Sequence, residues 1–121
     1  MIIGLIGLGE MGSEIGRFLV KNGIEVISVY KGRSTNSQNR AKRYGIKDAT
    51  NEENLSKNSD IIISIIPPDK ALETVDKYTK YKNKEGQIYC DLNAISTMTA
   101  KKVKNLLDKR NITYVDGSIM G

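Results

Sequence analysis

Three glycines near the start of the chain have the spacing that phosphate chemistry needs. They form Gly7-Leu8-Gly9-Glu10-Met11-Gly12, directly after the apolar run Ile2-Ile3-Gly4-Leu5-Ile6. That order predicts a buried strand, a tight turn and a helix opening near Glu10. In such a turn Gly7 permits the bend, Gly9 has no Cβ to hold a phosphate off the backbone, and Gly12 lets the helix lie close to the strand. The helix start adds free N–H groups and about half a positive charge for an anion. A second strand, Glu25 to Tyr30, completes a β-α-β unit, the setting in which this glycine pattern binds the pyrophosphate of a dinucleotide. Without a ligand the same residues are only a glycine-rich turn.

The next group with chemical meaning closes that second strand. An NAD site carries an Asp or Glu there, about 20 residues past the glycines, to accept the ribose 2′-hydroxyl. Here the run is Val29-Tyr30-Lys31-Gly32-Arg33-Ser34, with no acid. A carboxylate would repel a 2′-phosphate, whereas Lys31 and Arg33 attract it and the Ser34 hydroxyl can donate to it. The expectation is NADP(H) in preference to NAD(H), with Arg33 the main reader. The competing reading leaves these as solvated loop cations.

Other reactive residue types are scarce. The chain has no His and one Cys, so a zinc site is not expected and no internal disulfide can form. Cys90 reads as a small apolar strand residue, and a lone cysteine fits a reducing cytoplasm. The net charge of +5 over 121 residues suits an anionic ligand and solvated helix faces. Nucleic-acid binding is not expected, because no basic stripe interleaves with the few aromatics. No 18-residue apolar span or secretory leader is evident, so neither a membrane helix nor export is expected.

These groups need a scaffold, and strands alternating with helices along the chain supply one. The first helix runs from about Glu10 to Lys21, with Met11, Ile15, Phe18 and Leu19 on one face. A helix of about Ser37 to Tyr44 follows the cationic loop, then a short strand near Ile46 to Asp48. Asn51 to Lys57 makes one or two helical turns, with Thr50 as a cap. Asp60 to Ile66 is an unbroken Ile-rich strand, as a central parallel strand buried on both faces should be. Pro67-Pro68 ends it. A helix from Asp69 to Tyr81 turns Leu72, Val75 and Tyr78 inward, and Gln87 to Asp91 is the fifth strand. Ser96 caps a helix to about Arg110 with Ala100, Val103, Leu106 and Leu107 inward, and Ile112 to Asp116 is the sixth strand. Right-handed crossovers then give an α/β fold, a Rossmann-type doubly wound parallel sheet in three layers with strand order 3-2-1-4-5-6. A single domain of residues 1–121 is expected.

With these segments in place, the chain resembles a known family. Ile6-Gly7-Leu8-Gly9-Glu10-Met11-Gly12, the Tyr30 to Ser34 loop, Ser59-Asp60 leading to Pro67, Asp91-Leu92-Asn93 and Tyr114-Val115-Asp116-Gly117 with Gly121 fall in one order. It is similar to the N-terminal domain of the β-hydroxyacid dehydrogenases, the 6-phosphogluconate and 3-hydroxyisobutyrate dehydrogenase group. The resemblance implies oxidation of a small hydroxy-acid substrate by hydride transfer to a nicotinamide dinucleotide, in a full-length protein that is a homo-oligomer. It implies that Leu8, Glu10, Met11 and Tyr30 join the glycines at the cofactor, and that Ile66 and Pro67 lie along the nicotinamide ribose. It places Asn93 and Ser96 in a loop facing nicotinamide and substrate, and Gly121 at the first glycine of a substrate loop. Asn93 can hydrogen-bond substrate or the nicotinamide amide, or serve only as a turn-stabilising side chain.

Two departures bear on substrate. Many members have a Ser-Thr pair where this chain has Asn93-Ala94, and Ser-Gly-Gly where it has Met120-Gly121. The family's helical domain, which supplies a catalytic Lys, is absent from these residues, so no catalytic residue is expected here and the chain alone should bind without efficient turnover. Lys70 is the one local candidate for that role, against a plain reading as a solvated first-turn lysine. The alternatives are a stand-alone NADP-binding or sensing module, or a related imine or pyrroline-carboxylate reductase.

Overall fold

The computed structural model describes residues 1–93 and 95–117. In chain order they form β1 (Ile2–Ile6), α1 (Glu10–Lys21), β2 (Glu25–Ser28), α2 (Thr35–Arg43), β3 (Lys47–Asp48) and α3 (Glu52–Asn58). Then come β4 (Ile61–Ser64), a 3-10 turn (Pro68–Lys70), α4 (Ala71–Thr79), β5 (Ile88–Asp91), α5 (Thr97–Lys109) and β6 (Thr113–Asp116). The strands make one parallel sheet in the order β3-β2-β1-β4-β5-β6, the expected topology. Among the described residues, no helix is long and apolar enough to cross a membrane.

Alternation along the central strands divides the core between two faces. Leu5, Leu8, Val26, Tyr30, Ala41 and Ile46 pack together on one side. Ile6, Ile27, Leu55, Ile62, Val75, Tyr89, Val103 and Leu107 pack on the other. Adjacent residues such as Leu5 and Ile6, or Val26 and Ile27, therefore serve opposite layers.

Several expected elements are corrected. The inward face of α1 includes Leu19, which packs on the core, but not Met11 or Phe18. Its buried residues are Gly12, Ser13 and Gly16, while Met11 and Phe18 are 51% and 66% exposed. The contact stripe is one residue on, ~100° round the helix, because a helix drawn tightly onto a sheet must present small side chains. A Cβ on Gly16 would come within 2.6 Å of Ile46. In α4, Val75 is buried and Tyr78 packs on the core, but Leu72 is turned outward and Ala71 takes the inward place. Asn51, not Thr50, caps α3. Its Oδ1 accepts from the Asn54 amide at 2.8 Å, whereas Thr50 has φ +78° and cannot take the extended cap conformation.

β2 and β4 are also shorter than expected. β4 stops level with the end of β1, where Ser64 pairs with Ile6, and β2 stops level with the end of β3, where Ser28 pairs with Asp48, so Val29-Tyr30 and Ile65-Ile66 lie beyond the strands. At the opposite end Asp60 ties the sheet together. Its Oδ2 accepts the Ile2 amide at 2.8 Å and its Oδ1 pairs with Lys84 at 2.8 Å.

Candidate functional site

The divergence of the chain beyond β1 opens a cleft at the carboxyl ends of the strands, where the strand order reverses. Doubly wound sheets bind ligands at this point. The cleft holds about 270 Å³ and is floored by Ile6, Gly7 and Leu8. Ser28, Val29 and Arg33 form one wall; Ile66, Pro67, Lys70, Glu73, Thr74, Lys77 and Tyr78 form the other.

The three glycines differ sharply in what the fold demands of them. Gly7 has φ +109°, and a Cβ there would lie 1.9 Å from the Ile65 carbonyl oxygen. A Cβ on Gly12 would lie 1.9 Å from the Gly7 carbonyl oxygen. Both are required by the backbone. Gly9 is different: its φ is −65°, and a Cβ would meet nothing within 4 Å. The protein's own packing gives no reason for glycine at position 9. It caps α1 with no side-chain hydrogen bond, so the first amides of that helix have no side-chain acceptor from the cap.

Arg33 reaches the cleft, held by a turn in which its amide donates to Tyr30 O at 3.0 Å and by Gln38 Nε2 donating to its carbonyl at 3.0 Å. Lys31 is exposed and lies outside the lining. Ser34 is the N-cap of α2: its Oγ accepts from the Ser37 amide at 3.1 Å and donates to Ser37 Oγ at 3.0 Å. Tyr30 faces the core instead of the cleft. Its ring is buried, its hydroxyl donates to Ile46 O, and burial raises its phenol above the ordinary value. Leu8 likewise buries its side chain and offers the cleft backbone. Glu10 and Met11 are exposed on the first turn of α1, outside the lining. The carboxylate that β3 brings beside the end of β2, Asp48, is spent on the amides of Thr50 and Tyr30 at 2.9 and 3.2 Å.

Ile66 and Pro67 do line the cleft, and Asn93 sits behind them. Its Oδ1 accepts the Ile66 amide at 2.6 Å, its amide donates to Asp91 Oδ1 at 2.9 Å, and its Nδ2 faces Ser64 Oγ at 3.4 Å. Asn93 is 5% exposed. The Asx turn at this corner therefore belongs to Asp91, and Asn93 ties the loop after β5 to the loop after β4. Burial raises the Asp91 carboxyl above its ordinary value, with the Asn93 hydrogen bonds opposing. Ser96 is exposed and caps α5, its Oγ accepting from the Thr99 amide at 3.1 Å. Gly121, Met120 and Ala94 lie outside the described residues. Cys90 is half-buried; burial, then Asp91 and Asp116, raise its thiol, which keeps it a poor nucleophile.

Apart from Lys70, read as a proton-transfer candidate, and Tyr78, read as an inward residue, the wall along α4 was missed from sequence. Lys70, Glu73, Thr74, Lys77 and Tyr78 recur at three- and four-residue steps, a helical face whose polarity hides its role. Lys70 Nζ is 3.9 Å from Glu73 and Lys77 Nζ is 3.2 Å from Glu52. Burial, with Glu52, pushes the Tyr78 phenol up to about 12, and Arg33 opposes that from across the cleft. Three cations, Arg33, Lys70 and Lys77, line the cleft against one carboxylate, Glu73.

Comparison with known proteins gives a consistent picture. The family model described as the NAD binding domain of 6-phosphogluconate dehydrogenase matches residues 2–121. A 28.5 kDa protein of Methanothermus fervidus is 39% identical over 121 residues, covering 100% of this chain and 46% of that protein. A probable mitochondrial 3-hydroxyisobutyrate dehydrogenase of Dictyostelium discoideum is 27% identical, covering 98% of this chain and 37% of the relative. A solved conserved protein described as structurally similar to 3-hydroxyacid dehydrogenases superposes with a TM-score of 0.84 at 30% identity, over 100% of this chain and 44% of that one. The chain thus spans less than half the length of these relatives.

Proposed function

This chain belongs to the NAD-binding domains of the 6-phosphogluconate dehydrogenase family, and from that premise we propose that it holds NADP(H) as the cofactor half of an enzyme that oxidises the hydroxyl of a small hydroxy acid. One observation carries the cofactor reading. Gly9 is free of any steric demand from the protein, yet it stands at the turn where a side chain would meet an incoming pyrophosphate. Arg33 in the wall, and Asp48 turned away to backbone amides, support a 2′-phosphate over a free 2′-hydroxyl.

When bound, the nicotinamide ring would accept a hydride from the substrate carbon. The chain's own residues bind and orient. The Gly7 to Gly12 turn would take the pyrophosphate, Arg33 the 2′-phosphate, and Ile66 with Pro67 would border the nicotinamide ribose. Asn93 fixes that border through the Ile66 amide and does not itself reach the cleft lining. A proton acceptor for the substrate hydroxyl must lie within about 3 Å of it. Lys70 instead faces Glu73 in the cleft wall, where it suits phosphate better than proton transfer. We therefore assign proton transfer to a further, helical domain of the full-length protein, and place that protein in the reducing cytoplasm that its lone cysteine suits.

Calorimetric titration with NADPH and NADH separately tests the reading. Tighter NADPH binding that falls to the NADH level in Arg33→Ala is expected. Equal affinities in the unaltered chain would remove the preference, and no binding of either would remove the function.

A further inference from the structure

The carbonyl of Leu8, within the glycine turn, accepts two hydrogen bonds. Ser13 Oγ donates at 3.1 Å from the adjoining helix. Arg40 Nη2 donates at 3.0 Å from α2, 32 residues along the chain. No peptide bond among the described residues is cis. In the trans Leu8–Gly9 peptide the Gly9 N–H points opposite to the Leu8 carbonyl. Drawing the carbonyl toward Ser13 and Arg40 therefore turns the Gly9 N–H away from both helices.

Arg40 has no local reason to be arginine. Its Nε is buried with no partner among the described residues, a burden that an apolar side chain of similar length would not carry. The same helix also governs the Arg33 loop. Gln38 Nε2 donates to Tyr30 O at 3.2 Å and to Arg33 O at 3.0 Å, and Ser34 caps the helix start. One short helix thus grips both loops that would read phosphate.

We propose that Arg40 is a positioning residue for the pyrophosphate: through the Leu8 carbonyl it holds the Gly9 amide toward the ligand. This rests on the cofactor reading above. Arg40 is not among the residues that line the cleft. Its permanent charge behind the peptide polarises the amide that faces the diphosphate.

The test uses Arg40→Met, which keeps the stem, and Arg40→Lys, which keeps the charge but loses the fork. Each is titrated with NADPH and with adenosine 2′-monophosphate, which lacks the pyrophosphate. Arg40→Met is expected to weaken NADPH roughly tenfold, the scale of one charge-assisted bond, while leaving adenosine 2′-monophosphate within about twofold. Arg40→Lys should fall between, and the Gly9 amide resonance should shift in both. Should Arg40→Met not fold, Arg40→Lys carries the test by the same split between ligands. NADPH affinity within about twofold of the unaltered chain, or equal loss for both ligands, would overturn the proposal. Failure of the unaltered chain to bind NADPH at all would overturn the cofactor reading itself, which separates the two.

Discussion

At the scale of single residues, the glycines show how a motif divides between structure and ligand. Gly7-x-Gly9-x-x-Gly12 reads as one signal in sequence, yet the backbone requires only its first and last members. Gly12→Ala forces a Cβ against the Gly7 carbonyl and should destabilise by about 1–3 kcal/mol in denaturant unfolding, the usual range for overpacking. Asn93 was read either as a ligand contact or as a turn-stabilising side chain, and neither reading named its partner. Its partner is the Ile66 amide, 27 residues away, a contact no local pattern reveals. Asn93→Ala strands that amide and should cost about 1–3 kcal/mol of stability. It should also weaken NADPH more than adenosine 2′-monophosphate if the loop it holds, which lines the cleft, borders the nicotinamide end as proposed. Equal stability in the variant would show that the Ile66 amide finds another acceptor. The sequence named Arg33 ahead of Lys31, and it is the turn that follows Tyr30 that sends Arg33 to the cleft and leaves Lys31 outside.

At the scale of elements, the order of strands and helices was plain because an Ile-rich strand and a glycine turn each have few readings. Helix faces were not. The period of α1 placed Phe18 inside, but the sheet selects the small residues Gly12, Ser13 and Gly16. Phe18→Ser should therefore change stability by no more than about 0.5 kcal/mol, as for an exposed site. A loss of several kcal/mol would mean that the face was assigned wrongly. Strand ends were also hidden, since β4 stops level with β1 and β2 level with β3, and that depends on a neighbour. Asp60 joins the amino ends of β1 and β4, and its carboxyl is held below the ordinary 3.8 by the Lys84 hydrogen bond and then the Ile2 amide. A depressed carboxylate gives stability that is present above its unfolded value and is lost as pH falls through the folded one. Asp60→Asn should lower the melting temperature at pH 7 and flatten the acid limb below about pH 4, where the original chain loses this contribution. A variant whose acid limb is unchanged would release Asp60 from that role.

At the scale of the whole molecule, the reversal of strand order between β1 and β4 makes the cleft, and all the candidate cofactor contacts hang from the loops around it. This much follows from alternation of strands and helices with right-handed crossovers. The α4 wall does not follow, since a face of Lys, Glu and Thr looks like any solvated helix until the chain is folded around it. The substrate end does not follow either, since Ser96 is an exposed helix cap and Gly121 lies outside the described residues.

The measurement that bears most directly on this account is NADPH binding by Gly9→Ala, paired with its thermal unfolding. A fall of only a few degrees in melting temperature is predicted, because the added methyl meets nothing within 4 Å and only the N-cap preference for glycine is lost. NADPH affinity should fall by at least tenfold, about 1.4 kcal/mol, because the methyl enters the space of the pyrophosphate. A variant that folds as well and binds NADPH as tightly as the original would contradict the central claim.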